Sequence, residues 1–98
     1  MVKKEKLDGI KYLVGNYHQD IWDDFQTHEE FWRWLISEVS EEETVGRLRL
    51  DVEEMLTWDS QRVKQFIYEE ESGGLRLDTP AEARSWLEKL HIFFEEHK

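Results

Sequence analysis

The sequence predicts an all-α fold, a compact bundle of four main helices and one shorter helix. Apolar residues recur at three- and four-residue spacing in five segments, a pattern typical of amphipathic helices. The one alternating stretch, residues 75–77, is too short to form a strand without a partner, so we interpret it as an extended linker. Because 98 residues with 39% hydrophobic content suffice for one core, we expect a single domain over residues 1–98.

The first two helices are predicted over residues 4–17 and 28–38. Thr27 is a candidate cap for the second helix, and Glu30 would complete a capping box. The second helix has only a narrow polar stripe, so we expect it to be the most buried and central element. Its apolar residues are Phe31, Trp32, Trp34, Leu35, Ile36 and Val39.

Three further helices follow. Ser40 is predicted to cap a third helix that runs to about Thr57. Asp59 is predicted to cap a short fourth helix, which the glycine pair at 73–74 ends. Thr79, followed by Pro80, marks the start of the last helix. Its inward face is predicted to consist of Ala83, Trp86, Leu87, Leu90, Phe93 and Phe94.

The chain is strongly acidic, with 23 Asp and Glu against 13 Lys and Arg and a formal charge of −10. Such a field repels nucleic acid and anionic membranes and attracts a basic protein, although acidity can also serve solubility alone. There is no cysteine, so disulfides and thiol chemistry are excluded. No signal peptide or apolar span is visible, so we expect a cytoplasmic protein.

The run from Tyr17 to Phe25 places polar residues and three carboxylates between large apolar side chains. One interpretation is structural: His18 and Gln19 would bond the last carbonyls of the first helix, and Asp20 would cap the next turn. The other is that the run presents carboxylates to a partner. Both interpretations predict that Trp22 is at least partly buried.

Catalytic and metal-binding hypotheses have weaker support. His18 and Asp20 could form an acid–base pair, but the sequence has no nucleophile elbow and no phosphate loop. His18, Asp20, Asp24 and His28 have ligand chemistry at a spacing that is not diagnostic of zinc. We therefore expect no enzymatic activity, no cofactor and no metal.

The chain resembles the small acidic immunity proteins of bacterial contact-dependent growth inhibition systems, in which a Tyr-x-His-Gln-Asp-like motif follows the first helix. In this chain Tyr17 directly adjoins His18. The glycine pair at 73–74 is a supporting similarity. The residues that match the motif region are Leu13, Tyr17, His18, Gln19, Asp20 and Trp22.

This resemblance implies a protein that binds the toxic C-terminal domain of a cognate effector, often a nuclease, and neutralises it. The expected partner is thus a basic toxin domain, met by acidic residues around a partly exposed aromatic anchor, Tyr17 or Trp58, of which Trp58 lies at a predicted helix boundary. An acidic adaptor or regulatory module for a basic host protein is the alternative. The predicted partner-binding residues are Tyr17, Asp20, Asp23, Asp24, Trp58, Glu69, Glu70 and Glu71.

Overall fold

The computed structural model describes residues 7–39, 41–70 and 73–96, and in these ranges it is helical without any strand. A single 3-10 turn, Ile21–Asp23, lies between the first two helices, and a π-helical turn, Leu35–Val39, extends the second. The all-α prediction is confirmed. The helices are α1 (Asp8–Gly15), α2 (His28–Trp34), α3 (Glu42–Met55), α4 (Ser60–Glu70) and α5 (Pro80–Glu96).

Four helices form a closed ring around the core. α1 packs on α3 and α4, and α5 packs on the same two helices. α2 is not among these closely packed pairs, so its prediction as the central helix is wrong. Phe31 and Trp32 are buried, but Trp34 is 41% exposed and packs on Phe25 at 5.4 Å between ring centroids. Part of the apolar surface of α2 therefore faces solvent in an aromatic patch.

Three predicted helix caps are confirmed, because local polar spacing determines them. In each, a side-chain oxygen accepts a backbone N–H three residues later: Thr27 from Glu30 at 3.1 Å, Asp59 from Arg62 at 2.9 Å, and Thr79 from Glu82 at 3.1 Å. The Glu30 carboxylate reaches back to the N–H of Gln26 at 3.0 Å, one residue earlier than a standard capping box. α3 begins after Glu41, and Ser40 lies outside the described residues.

The inward face of α5 is confirmed in full, since all six predicted residues are buried. α5 also supplies Arg84, whose guanidinium donates to the carbonyls of Leu56 and Trp58 and to the hydroxyl of Ser60. The corner between α3 and α4 is thereby tied to the last helix. Within the part of the chain that the structure describes, no helix has the length and apolar character needed to cross a membrane.

α1 starts at a contact with α3 that the sequence did not predict. Leu7, the residue before the helix, provides no side-chain cap. The buried Asp51 carboxylate of α3 accepts the N–H of Gly9 at 2.7 Å and of Ile10 at 3.2 Å, and so caps α1 from a distant segment. Burial raises the pKa of Asp51, while the two N–H groups oppose that shift.

Gly9 allows α1 and α3 to approach each other closely. A Cβ atom at this position would lie 2.5 Å from the Cα of Leu48, and that backbone atom cannot move aside as a flexible side chain could. Gly46 in α3 is the opposite case, because a Cβ there would meet nothing within 4 Å. The two glycines thus have different roles in neighbouring helices.

Gly9→Ala is expected to lower the free energy of unfolding by about 2 kcal/mol or more, since overpacking forces the two backbones apart. Gly46→Ala, the matched control, should raise it by roughly 0.5–1 kcal/mol through helix propensity. Urea titrations followed by circular dichroism measure both values. Equal effects of the two substitutions would contradict the close contact between α1 and α3.

Candidate functional site

The run from Tyr17 to Phe25 folds back onto the glycine pair at 73–74. Gly74 donates its N–H to the carbonyl of Tyr17 at 2.9 Å, and the indole N–H of Trp22 donates to the carbonyl of Gly74 at 2.8 Å. His18 and Gly73 form one antiparallel bridge. The first part of the run, from Tyr17 to Trp22, is therefore held by a distant segment of the chain.

Both glycines are required by this contact. A Cβ atom on Gly74 would lie 2.1 Å from the carbonyl oxygen of His18, and Gly73 has a φ of +107°, which disfavours any other residue. The sequence predicted these glycines only as the end of α4, which the structure describes as far as Glu70. Their contact with the motif is the stronger reason for two successive glycines.

Tyr17 is the buried centre of a hydrogen-bond network, so its prediction as a partly exposed anchor is wrong. It has no exposed surface, and its hydroxyl accepts the indole N–H of Trp32 at 2.8 Å and of Trp86 at 3.3 Å. The same oxygen lies 2.9 Å from Nδ1 of His28. Because indole nitrogens only donate, the Tyr17 proton must point to His28, which places the imidazole proton on Nε2.

Burial determines the charge state of this network. It raises the pKa of Tyr17 far above its ordinary value, so the hydroxyl stays neutral and can donate. Burial also lowers the pKa of His28, with an opposing effect of Glu29 and a smaller supporting effect of Lys89. The His28 ring stacks on Trp32 with centroids 5.7 Å apart. A neutral His28 is thus the form that fits the site.

The last backbone carbonyls of α1 accept hydrogen bonds from groups other than the side chains of His18 and Gln19, contrary to the structural interpretation of the motif. The backbone N–H groups of Asn16 and Tyr17 bond the carbonyls of Leu13 and Val14, and the Asn16 side chain donates to the carbonyl of Tyr12 at 2.7 Å. Asp20 precedes the 3-10 turn without capping it. The sequence missed Asn16, whose short amide can reach back one helical turn.

Three carboxylates, Asp20, Asp23 and Asp24, form what we call the acidic turn. All three are exposed, and none makes a side-chain hydrogen bond or ion pair with another described residue. Trp22 lies among them and is 41% exposed, so the expectation of partial burial is confirmed. Its ring also meets the ring of His28 edge-on with centroids 5.1 Å apart. The turn therefore combines free negative charge with a rigidly held aromatic side chain.

Trp58 is buried with 6% exposure, so its prediction as a partly exposed anchor is wrong. Its indole N–H donates to the carboxylate of Glu54 at 3.3 Å, and the guanidinium of Arg62 covers the ring at 3.7 Å. A position at a helix boundary was the only signal for exposure. The ring belongs to the hydrophobic core and packs on Phe66 with centroids 5.7 Å apart, contacts that the sequence did not reveal.

The glutamates at the end of α4 are less uniform than the sequence indicated. Glu69 is exposed and accepts a hydrogen bond from the Gln65 amide at 2.9 Å, whereas Glu70 is half-buried. Glu71 lies outside the described residues. Of the two described glutamates at this end of α4, Glu69 is therefore the one exposed in the way that the sequence predicted.

An open cleft of about 900 Å³ adjoins the acidic turn. The sequence did not predict it, because its walls come from segments far apart in the chain. Tyr68, which is 69% exposed, was the available signal, since it is a large aromatic residue on the polar side of α4. Residues that line the cleft include Trp22, His28, Lys64, Tyr68, Arg76 and Asp78.

The structure does not bring the candidate catalytic or metal-binding residues together. His18 and Asp20 are both exposed, with no hydrogen bond between their side chains. Among residues 7–39, 41–70 and 73–96, no group of three His, Asp or Glu side chains is placed to hold a metal ion. Among the described histidines, His28 has a side-chain hydrogen-bond partner, the hydroxyl of Tyr17.

We expect stability to fall as pH decreases from about 7.5 to 5.5, because of His28. Its pKa is lowered in the folded protein, whereas the unfolded chain titrates near pH 6.5, so below that pH the unfolded state binds the extra proton. His28→Asn, whose amide oxygen can still accept from Tyr17, should reduce this slope. Urea titrations across the pH range measure it, with the exposed His18→Gln as the control. An unchanged slope in His28→Asn would exclude His28 as the cause.

Comparison with family models, with curated proteins and with solved structures gives no match for this chain. The site is therefore interpreted from its own residues.

Proposed function

We propose that this chain is an immunity protein that binds the toxic C-terminal domain of a cognate contact-dependent growth inhibition effector and neutralises it in the cytoplasm. The proposed toxin is a basic domain, and a nuclease fits best. The observation that carries the proposal is the acidic turn, in which three exposed carboxylates flank Trp22 in the sequence and 41% of that side chain is exposed. The resemblance of the motif region to immunity proteins supports the same function.

Charge supports a basic partner. The chain has a net charge of −10, and the acidic turn adds local carboxylates without competing partners among the described residues. Nuclease domains need a positive surface to contact phosphates, and an acidic inhibitor can occupy that surface. Complementary fields also raise the association rate, which is valuable when a toxin must be captured before it acts.

Trp22 replaces Tyr17 and Trp58 as the proposed aromatic anchor. Tryptophan is enriched among residues that dominate binding energy, especially where it is rigid and ringed by polar groups. The hydrogen bond from its indole to Gly74 fixes the ring while 41% of the side chain remains exposed. Because little side-chain freedom is left to lose, binding through Trp22 costs less entropy than binding through a mobile side chain.

Replacing Asp23 and Asp24 together with Lys should slow association with the toxin domain about tenfold or more at low salt, because steering is lost. Both residues are exposed, so the fold should be unaffected. The matched control is Glu53→Lys with Glu88→Lys, which makes the same charge change at exposed positions of α3 and α5. Stopped-flow or surface-based kinetics at several salt concentrations provide the rates. If both double variants slowed equally, net charge rather than the acidic turn would be responsible.

The direct test is co-expression of this protein with the product of the gene immediately upstream. Rescue of growth together with a stoichiometric complex would support immunity. Toxicity without rescue, or an upstream product without toxicity, would contradict it and favour an acidic adaptor for a basic host protein. Trp22→Phe, which keeps an aromatic ring but loses the bond to Gly74, measures how much rescue depends on the fixed orientation.

A further inference from the structure

The described residues that line the cleft beside the acidic turn include two cations, in a chain of net charge −10. These cations are Lys64 and Arg76, and the one carboxylate among the described lining residues is that of Asp78. Lys64 is half-buried, and its ammonium lies 5.8 Å from the centre of the Tyr68 ring. Neither cation forms an ion pair with a carboxylate among the described residues. Two cations thus face a cleft in which an anionic group would be stabilised.

The backbone along one wall of this cleft is also available. After the bridge between His18 and Gly73, residues 75–78 make no backbone hydrogen bond to any other described residue. Leu75 is buried and Leu77 half-buried, while Arg76 and Asp78 are exposed, which is the alternation of an extended chain. An anchored, extended segment whose N–H and C=O groups make no backbone hydrogen bond to the described residues can pair with another extended chain.

We propose that the cleft receives an extended segment of the bound toxin domain, which pairs with the backbone of residues 75–78 and places a carboxylate between Lys64 and Arg76. This inference rests on the proposed immunity function. It specifies the partner further: a basic surface that meets the acidic turn, beside a protruding strand or loop that carries one acidic side chain.

Such an arrangement would distinguish the cognate toxin from other basic proteins. The acidic turn attracts any cationic surface, so it raises the association rate without selecting strongly among basic partners. A partner without the acidic segment would bring its positive charge against Lys64 and Arg76 or leave them unpaired, and either outcome costs binding energy. Attraction of basic residues to the acidic turn and their repulsion from the cleft cations together favour one orientation of the bound toxin domain.

The experiment uses the complex with the upstream-encoded toxin domain and two double variants. Lys64→Gln with Arg76→Gln removes the cleft cations. Lys11→Gln with Arg33→Gln is the matched control, since it also removes one half-buried and one exposed cation, from α1 and α2. We expect the cleft variant to raise Kd at least about tenfold, as loss of a desolvated charge pair does, and the control to change it less than about threefold.

Hydrogen exchange of the complex tests the backbone contact separately. The amides of residues 75–78 should exchange at least about tenfold more slowly in the complex than in the free protein, because pairing protects them. A complex in which these amides stay unprotected, or in which the cleft variant binds like the control, would overturn the inference and leave immunity standing. Failure to form any complex would instead remove the proposed function, and this inference with it.

Discussion

The position of the motif on the bundle depends on the hydrogen bonds of one group, the hydroxyl of Tyr17. It joins the run that follows α1 to α2 through Trp32 and His28, and to α5 through Trp86. An apolar side chain in its place would leave the buried indole nitrogens of Trp32 and Trp86 without an acceptor, and a buried polar group without a partner costs about 1–3 kcal/mol. The position of α2 on the bundle, and the path of the chain that leads to it, follow from this network.

The motif divides into a part that is buried and a part that is presented. Tyr17 points into the core, while Trp22 and the acidic turn remain at the surface. The two parts are separated by only a few residues, so the rigidity of the core is transmitted directly to the exposed side chains. A short segment of the chain therefore serves folding and, in the proposed function, recognition at the same time.

Local features of the sequence predicted local features of the structure. Thr27, Asp59 and Thr79 cap their helices because an oxygen three residues before an N–H can reach it wherever the helix lies. The buried state of Trp58 and the capping of α1 by Asp51 could not be predicted in this way, since each depends on how helices pack or on a side chain that covers another. The cleft was missed for the same reason, whereas the exposed carboxylates of the acidic turn needed no tertiary information.

Contacts of Arg84 and Trp86 make the rest of the structure depend on the last helix to be synthesised. Arg84 satisfies the carbonyls at the corner of α3 and α4, and Trp86 reaches Tyr17 across 69 positions of the chain. In a nascent chain that lacks α5, those backbone carbonyls would have no guanidinium donor, and the Tyr17 hydroxyl would lose its hydrogen bond from Trp86. In the proposed function, the binding surface would therefore be complete only after translation has passed α5, and unfinished chains would not compete with finished protein for the same target.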